Sequence, residues 1–363
     1  MMTSVQVRQI WPVRLWGAAA RRAVLAMGGT ADENPLPQAG EAPSKNPLPL
    51  GEGRVRVVSP SSDERALGSP SPHPDPLPVG EGGKVIAVFA RSFYLTSAAG
   101  ELVCIGPAGL GSGPLNMLCD LPADLDWQAR GLRPGQAVRD RDKVLRIDGI
   151  GAFSLVGAAV WRPTPPPAIW NAAILDTGLA ALAMASRSLA SADGFAPLVA
   201  TLALDNPTNA LDSGEPLHRL AAPGIAAVAE WLARGGEGAP GEAAASLLGL
   251  GPGLTPSGDD FLGGAMIALH ALGRGALASR LAGWALPLAP ARTGAISAAH
   301  LACAAAGEGS AALHDLLAAL LTPGAAGLVE AVKALAALGH SSGWDMLAGA
   351  ALACAALRDD LSS

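Results

Sequence analysis

Apolar positions recur along this chain with two different periods, and the change of period divides it. From Lys84 the run "KVIAVFARSFYLTSAAGELVCIGP" alternates apolar and polar residues or stays apolar, with Ala99-Gly100 as a turn, which predicts a strand hairpin. "LGSGPLNMLC" then reads as a Gly-rich loop, and "QAVRDRDKVLRIDGIGAFSLVGAAVWRP" adds two or three strands around Asp148-Gly149. The "PTPPP" at 163–167 is a stiff boundary. Beyond Ala168 apolar residues return at helical spacing between Gly and Pro breaks, predicting helices over roughly 168–191, 216–234, 242–248, 256–272, 276–288, 293–306, 308–321, 325–338 and 342–358. The expected fold class is α+β: a small N-terminal β-rich domain at 84–167, then a larger all-α domain at 168–363 with Gly-rich helix N-termini.

Two segments precede the β-rich pattern. Residues 1–33 carry Arg8, Arg14, Arg21 and Arg22 throughout, so they lack the apolar core of a signal sequence and read as a helical or strand lead-in. Residues 34–83 hold three near-copies of one phrase, "PLPQAGE", "PLPLGE" and "PLPVGE", in a Pro, Gly and Ser background that cannot supply a packed core. This stretch is expected to be disordered. It is either a Pro-rich docking linker or a translated repetitive element; the near-identity and irregular spacing of the copies favour the element, and deletion of 34–82 is then expected to spare folding.

Composition narrows the class. Hydrophobic residues make up 50 % of 363, charged residues 15 % and aromatics 4 %, with alanine dominating the second half, so the helices there must pack through small side chains. The net charge of -6, without a Lys/Arg stripe interleaved with aromatics, argues against a nucleic-acid partner. Cys104, Cys119, Cys303 and Cys354 are too scattered for a disulfide framework or a zinc site, which suggests buried free thiols in a reducing cytoplasm. No uninterrupted apolar run approaches the roughly 18 residues of a membrane span. A soluble, cytoplasmic protein without a membrane partner is the expectation.

The densest chemistry lies in "GLGPGLTPSGDDFLGG", Gly249 to Gly264. Thr255 with Pro256 behind it, or Ser257 with Asp260 three residues on, makes a helix start, and Asp259 and Asp260 fall in the first turn where acidic groups suit the dipole. A cap leaves the preceding glycines unexplained. Glycines leading into a helix N-terminus can cradle an anion, although this loop lacks the lysine of a P-loop and the spacing of a dinucleotide fingerprint.

The chain repeats this start. "SGDDFLGGAMIA" from Ser257 and "SGWDMLAGAALA" from Ser342 share Ser-Gly-x-Asp-x-Leu-x-Gly-Ala in register, matching Asp260 with Asp345, Leu262 with Leu347 and Gly264 with Gly349. If the two N-termini converge, they form one pocket for a phosphate, a carboxylate or a Mg²⁺ held by Asp260 and Asp345. The candidate catalytic residues are Asp259, Asp260, Asp345 and His340, the last placed to donate to an anion at the second N-terminus. The candidate anion-binding residues are Gly251, Gly253, Thr255, Ser257, Gly258, Ser342, Gly343, Thr293 and Ser297. Thr293, Ser297 and His300 recur at i, i+4, i+7 and face either solvent or that pocket. His270 reads as core, His218 and His314 as surface residues. No Gly-x-Ser-x-Gly elbow supports a hydrolase triad.

"GLGPGLTPSGDDFLGG", "RTGAISAAHLACAAAGEG" and "GHSSGWDMLAGA" together resemble the bacterial family of the AllH-type subunit of oxamate carbamoyltransferase, long listed as a domain of unknown function, over about residues 84–363. The 34–83 segment departs from that family and falls ahead of the β domain. The resemblance implies one subunit of a multi-subunit transferase in allantoin (purine nitrogen) catabolism, converting oxalurate and phosphate to carbamoyl phosphate and oxamate in the degradative direction. The implied partners are a subunit similar to acyl-CoA synthetase and a second family-specific subunit. Two other readings stay open: a non-catalytic scaffold or small-anion-binding subunit, and a stand-alone metal-dependent hydrolase.

Overall fold

The computed structural model describes residues 9–27, 82–190, 193–204 and 215–361. Its strands are β1 (Ile10–Trp16), β2 (Gly83–Val88), β3 (Phe93–Ser97), β4 (Leu102–Pro107), β5 (Asn116–Cys119), β6 (Ala137–Arg141), β7 (Val144–Ile147), β8 (Gly151–Ser154) and β9 (Ala159–Val160). They run in the order β5-β4-β3-β2-β6-β7-β8-β1, and β1 pairs with β5 to close the ring, with β9 added beside β1. Closure leaves no open edge in the eight-stranded barrel.

The lead-in segment is part of this barrel. β1 runs antiparallel to β5 through Val13↔Cys119 and Trp16↔Met117, and parallel to β8 through Trp11↔Phe153. A register shift between Val13 and Leu15 lets Trp11, Val13 and Trp16 all face inward. A short helix, α1 (Ala18–Leu25), then lies on the barrel with Ala20, Ala23 and Val24 buried. The 34–83 segment therefore interrupts the barrel between α1 and β2 rather than preceding the β domain. The disorder expected of it lies outside the described residues up to 81.

One segment differs from expectation, and one hairpin turn lies outside it. Asn116–Cys119 is a strand, not loop, because β4 on one side and β1 on the other supply its ladder. The β6–β7 hairpin turns on Asp142 and Lys143, both at positive φ (54° and 59°), the geometry of a primed turn without its usual glycine. Inside the barrel Trp127 packs against Phe93, Trp11 and Phe153 with ring centroids 4.9, 5.2 and 5.9 Å apart. The lumen is filled with aromatic rings, so it is a core and not a binding cavity.

The helical part comprises α2 (Ala172–Leu189), α3 (Val199–Leu204), α4 (Pro216–Ala233), α5 (Glu242–Ala245), α6 (Ser257–Ala271), α7 (Gly275–Arg292), α8 (Ala295–Ala305), α9 (Ala311–Leu320), α10 (Leu328–Ala336) and α11 (Ser342–Leu361). These match the periodicity except for α3, whose six residues are too short to show one. By length and composition α2 could cross a membrane, yet Leu175, Leu179 and Leu182 pack into the helical core. All residues of α6 from Ser257 to Leu269 are buried, as befits a central helix without a polar face. A smaller apolar cluster, Ala19, Leu102, Leu115, Ile296 and Cys303, joins α8 to the outside of the barrel. All four cysteines are free and buried.

Candidate functional site

The two echoed helix starts lie side by side. α6 and α11 run in the same direction, since Ser257 faces Asp345, Asp260 faces Ser342, Phe261 meets Gly349 and Gly264 meets Met346. A Cβ at Gly264 would strike the Met346 carbonyl, and one at Gly349 the Phe261 carbonyl. Small residues permit this approach and bring both N-termini together, with their positive dipole ends adjacent. The Thr255 and Ser342 hydroxyls join across them at 3.0 Å.

Beside this junction a cleft of about 370 Å³ separates barrel from helices. Ser92, Tyr94 and Cys104 of the barrel, Asn116 at its rim, Thr255, Asp260, Ser297, His300 and Ser342 of the helices, and Glu308 line it, together with apolar residues such as Phe89 and Leu254. Asp260 is only 8 % exposed, and its Oδ2 is buried with no hydrogen-bond partner among the described residues. Burial holds its carboxyl well above the usual range, and the carboxyls of Asp345 and Asp259 push the same way; the Ser342 and Thr255 hydroxyls, which face it, pull back. Asp260 therefore holds a proton more readily than an ordinary carboxyl. Burial lowers His300 to about 4, so its imidazole is neutral. Burial also raises the Tyr94 phenol, which faces Cys104 and Asp260. Among the described residues the lining contains no lysine or arginine.

The other sequence candidates divide. Asp259, assigned above a catalytic role, is engaged structurally: it accepts the Gly249 N–H at 2.9 Å, the Ser297 hydroxyl at 2.7 Å and the Thr293 hydroxyl. Those same bonds commit the Thr293 and Ser297 hydroxyl protons to Asp259, although Ser297 still lines the cleft, and they turn the predicted polar stripe inward. Gly258 and Gly343 do not offer amides to an anion either. Their N–H groups bond Leu250 and Leu338 carbonyls at 2.9 and 3.2 Å, and a Cβ on either would strike a carbonyl of the preceding helical segment, Leu247 or Leu335. Gly251 (φ 113°) packs against Ser257 while Gly253 (φ 98°) faces open space, and neither lines the cleft.

Asp345 is fully buried and lies outside the cleft lining. Its carboxyl accepts the Phe195 N–H at 2.6 Å, with the Ser257 and Ser341 hydroxyls beside it. Burial raises it as well. A metal shared by Asp260 and Asp345 is not framed here, because only Asp260 reaches the cleft, and among the described residues no group of three or more His, Cys, Asp and Glu is arranged to hold a metal. His340 is 86 % exposed and pairs with Asp193 at 3.3 Å, outside the cleft lining. His218 and His314, expected at the surface, are buried; His218 bonds the Gly194 carbonyl at 2.7 Å and His314 accepts the Gly309 N–H at 3.0 Å. The half-buried His270 bonds the Ala305 carbonyl at 3.0 Å. Asn116, Tyr94 and Glu308 were not legible as site residues, since only tertiary packing brings the barrel wall to the helix starts.

Fold and site define a class: a closed β-barrel joined to an alanine-rich helical domain, with a small cleft between them lined by hydroxyls and by the carboxyls of Asp259, Asp260 and Glu308. Family models then match on both sides of that cleft, the AllH family N-terminal domain over residues 72–160 and oxamate carbamoyltransferase subunit AllH over residues 247–354. The chain belongs to the AllH family of oxamate carbamoyltransferase subunits. The first match begins inside the 34–83 segment and omits β1, which closes the barrel, and α1, which packs on it. No curated protein and no solved structure matches the chain.

Proposed function

We propose that this subunit binds the carbamoyl group moved between oxalurate or oxamate and carbamoyl phosphate in allantoin catabolism, and that the barrel–helix cleft receives it. The observation that carries this reading is the buried, unpartnered Asp260 carboxyl, which burial favours in its protonated form, set beside the Thr255–Ser342 hydroxyl pair. A carbamoyl group is uncharged and offers one carbonyl oxygen and one NH₂. The Asp260 O–H suits the oxygen, which gains negative charge as the carbon is attacked, and the hydroxyls suit the NH₂. A cleft with no lysine or arginine among the described residues fits the neutral end of the substrate better than a free dianion.

The phosphate charge is then met elsewhere. Mg²⁺ enters this reading only as a companion of the phosphate, away from Asp260, whose proton is kept for the carbamoyl oxygen. A subunit similar to acyl-CoA synthetase and a second family-specific subunit complete the enzyme. The test is turnover in the reconstituted complex. Asp260→Ala is expected to lower kcat by about 10² to 10³, the scale for removing one such donor, with the fold retained; an unchanged rate would refute the reading. A change in KM alone would instead support a ligand-binding subunit whose chemistry is done by its partners.

A further inference from the structure

A second cleft, of about 420 Å³, lies between α1 and the segment after β9. Arg21, Arg22, Arg162, Trp161 and Glu308 line it. None of the three arginines forms an ion pair among the described residues. Arg22 and Arg162 are exposed and Arg21 half-buried, so a small anion entering the cleft can be met by charge-assisted guanidinium donors. Trp161 makes a fixed wall: its backbone N–H bonds the Trp16 carbonyl at 2.8 Å and its ring lies 6.2 Å from that of His314.

Glu308 is the one residue common to both clefts. Its Oε2 is buried and has no hydrogen-bond partner among the described residues. It also shares a neighbour with the arginines, since Arg22 and Glu308 both act on the Cys303 thiol, which burial pushes up to about 12. A carboxylate that lines the same cleft as three arginines suits a ligand that is anionic at one end and carries an N–H at the other.

We propose that the arginine cleft binds a small carboxylate with an adjacent amide, its carboxylate on Arg21, Arg22 and Arg162 and its N–H on Glu308. In the carbamoyl-transfer reading, on which the ligand's identity rests, this is the oxamate end of the substrate. The oxamate nitrogen is the atom that gains or loses the carbamoyl group. Glu308 thus places that nitrogen at the partition between the two clefts, and the single residue they share sits where the two halves of the substrate meet. Glu308 also sets specificity: it accepts from an amide and repels a second carboxylate.

Calorimetric titration of the full chain with oxamate, oxalate and inorganic phosphate tests this without any turnover. Oxamate is expected to bind more tightly than oxalate, which has the same size but no N–H. Arg22→Gln combined with Arg162→Gln should weaken oxamate by about tenfold or more, the scale of a lost charge-assisted contact. Glu308→Gln should erase or invert the preference over oxalate, and Asp260→Asn, in the other cleft, should leave oxamate binding intact. Equal binding of oxamate and oxalate, tighter binding of phosphate than of either, no binding at all, or an oxamate affinity that follows Asp260 and ignores the arginines would each overturn the proposal. Loss of turnover in Asp260 variants bears only on the first cleft, so the two readings fail separately.

Discussion

Gly264 and Gly349 hold equivalent places in the two echoed helices, and each lies against the backbone of the other helix, at Met346 and Phe261. The same exchange recurs a turn earlier, where Asp260 faces Ser342 and Asp345 faces Ser257. Gly258 and Gly343 repeat it once more, each packed on a carbonyl of the helical segment before it and each bonding a leucine carbonyl of the intervening loop. α5–α6 and α10–α11 are therefore two copies of one helix–loop–helix unit related by an approximate two-fold. The first copy has the longer loop, and that loop brings Leu254 and Thr255 to the cleft.

This relation predicts opposite outcomes for neighbouring glycines. Gly264→Ala or Gly349→Ala forces a methyl into a carbonyl and should cost about 2–3 kcal/mol or more, the upper range for overpacking. Gly263→Ala meets only the Ala304 methyl, at 3.6 Å, and gains helix propensity, so it should be neutral or stabilising by up to about 1 kcal/mol. Thermal melts of the three variants check it, and equal losses would show that close approach is not what the two glycines secure.

Asp259 is expected to behave as a structural tie. Asp259→Ala leaves the Gly249 N–H and the Thr293 and Ser297 hydroxyls without their acceptor and should lower stability by about 2–4 kcal/mol. Thr293→Val and Ser297→Ala should cost about 1–2 kcal/mol each. Denaturant titration measures these, and a stable but inactive Asp259→Ala would return Asp259 to the chemistry.

How much of this the sequence carries can be judged residue by residue. The helix starts at Ser257 and Ser342 are legible because first-turn acids and a preceding break are local, but the expected caps do not form: Pro256 holds the N-cap position of α6 with no side-chain hydrogen bond, and Thr255 turns to Ser342 instead. Their convergence is legible too, since the shared Gly264/Gly349 pattern exists to let backbones touch. The use of the loop amides is not: Gly258 and Gly343 look like anion donors until the chain turns back and supplies Leu250 and Leu338 as acceptors. The barrel's need for residues 10–25 was hidden as well, because the strand pairing that recruits β1 spans the 34–83 segment. His300 was visible only as one point of a stripe.

Stability should respond to pH through Asp260 with a definite sign. Its folded carboxyl titrates above the unfolded one, so between those two values the folded state holds the extra proton and stability falls as pH rises. Asp260→Asn removes that slope. The variant's advantage in melting temperature over the parent should therefore grow from acid to neutral pH, and a constant or shrinking difference would contradict a neutral Asp260. His300 works in the opposite sense: depressed to about 4, it contributes stability above the unfolded histidine value that is lost as pH falls from about 6.5 toward 4. His300→Gln should flatten that acid limb.

The strongest discrimination concerns what Asp260 does in turnover. If it donates a proton-bearing bond to the carbamoyl oxygen, Asp260→Asn keeps an N–H donor of nearly the same shape and should retain much of the rate that Asp260→Ala loses. If the ionised carboxylate is needed, as a base or as a metal ligand, Asn and Ala should fail alike. The parent profile separates the cases again: a donor loses activity as pH rises through its raised value, a base gains it. His340→Ala supplies the control, since an exposed side chain paired with Asp193 outside the cleft should alter neither rate nor profile. Measuring kcat for the three Asp260 side chains across pH in the reconstituted complex thus decides between donor and carboxylate, and equal rates for Asn and Ala with a rising parent profile would remove the donor role from the mechanism.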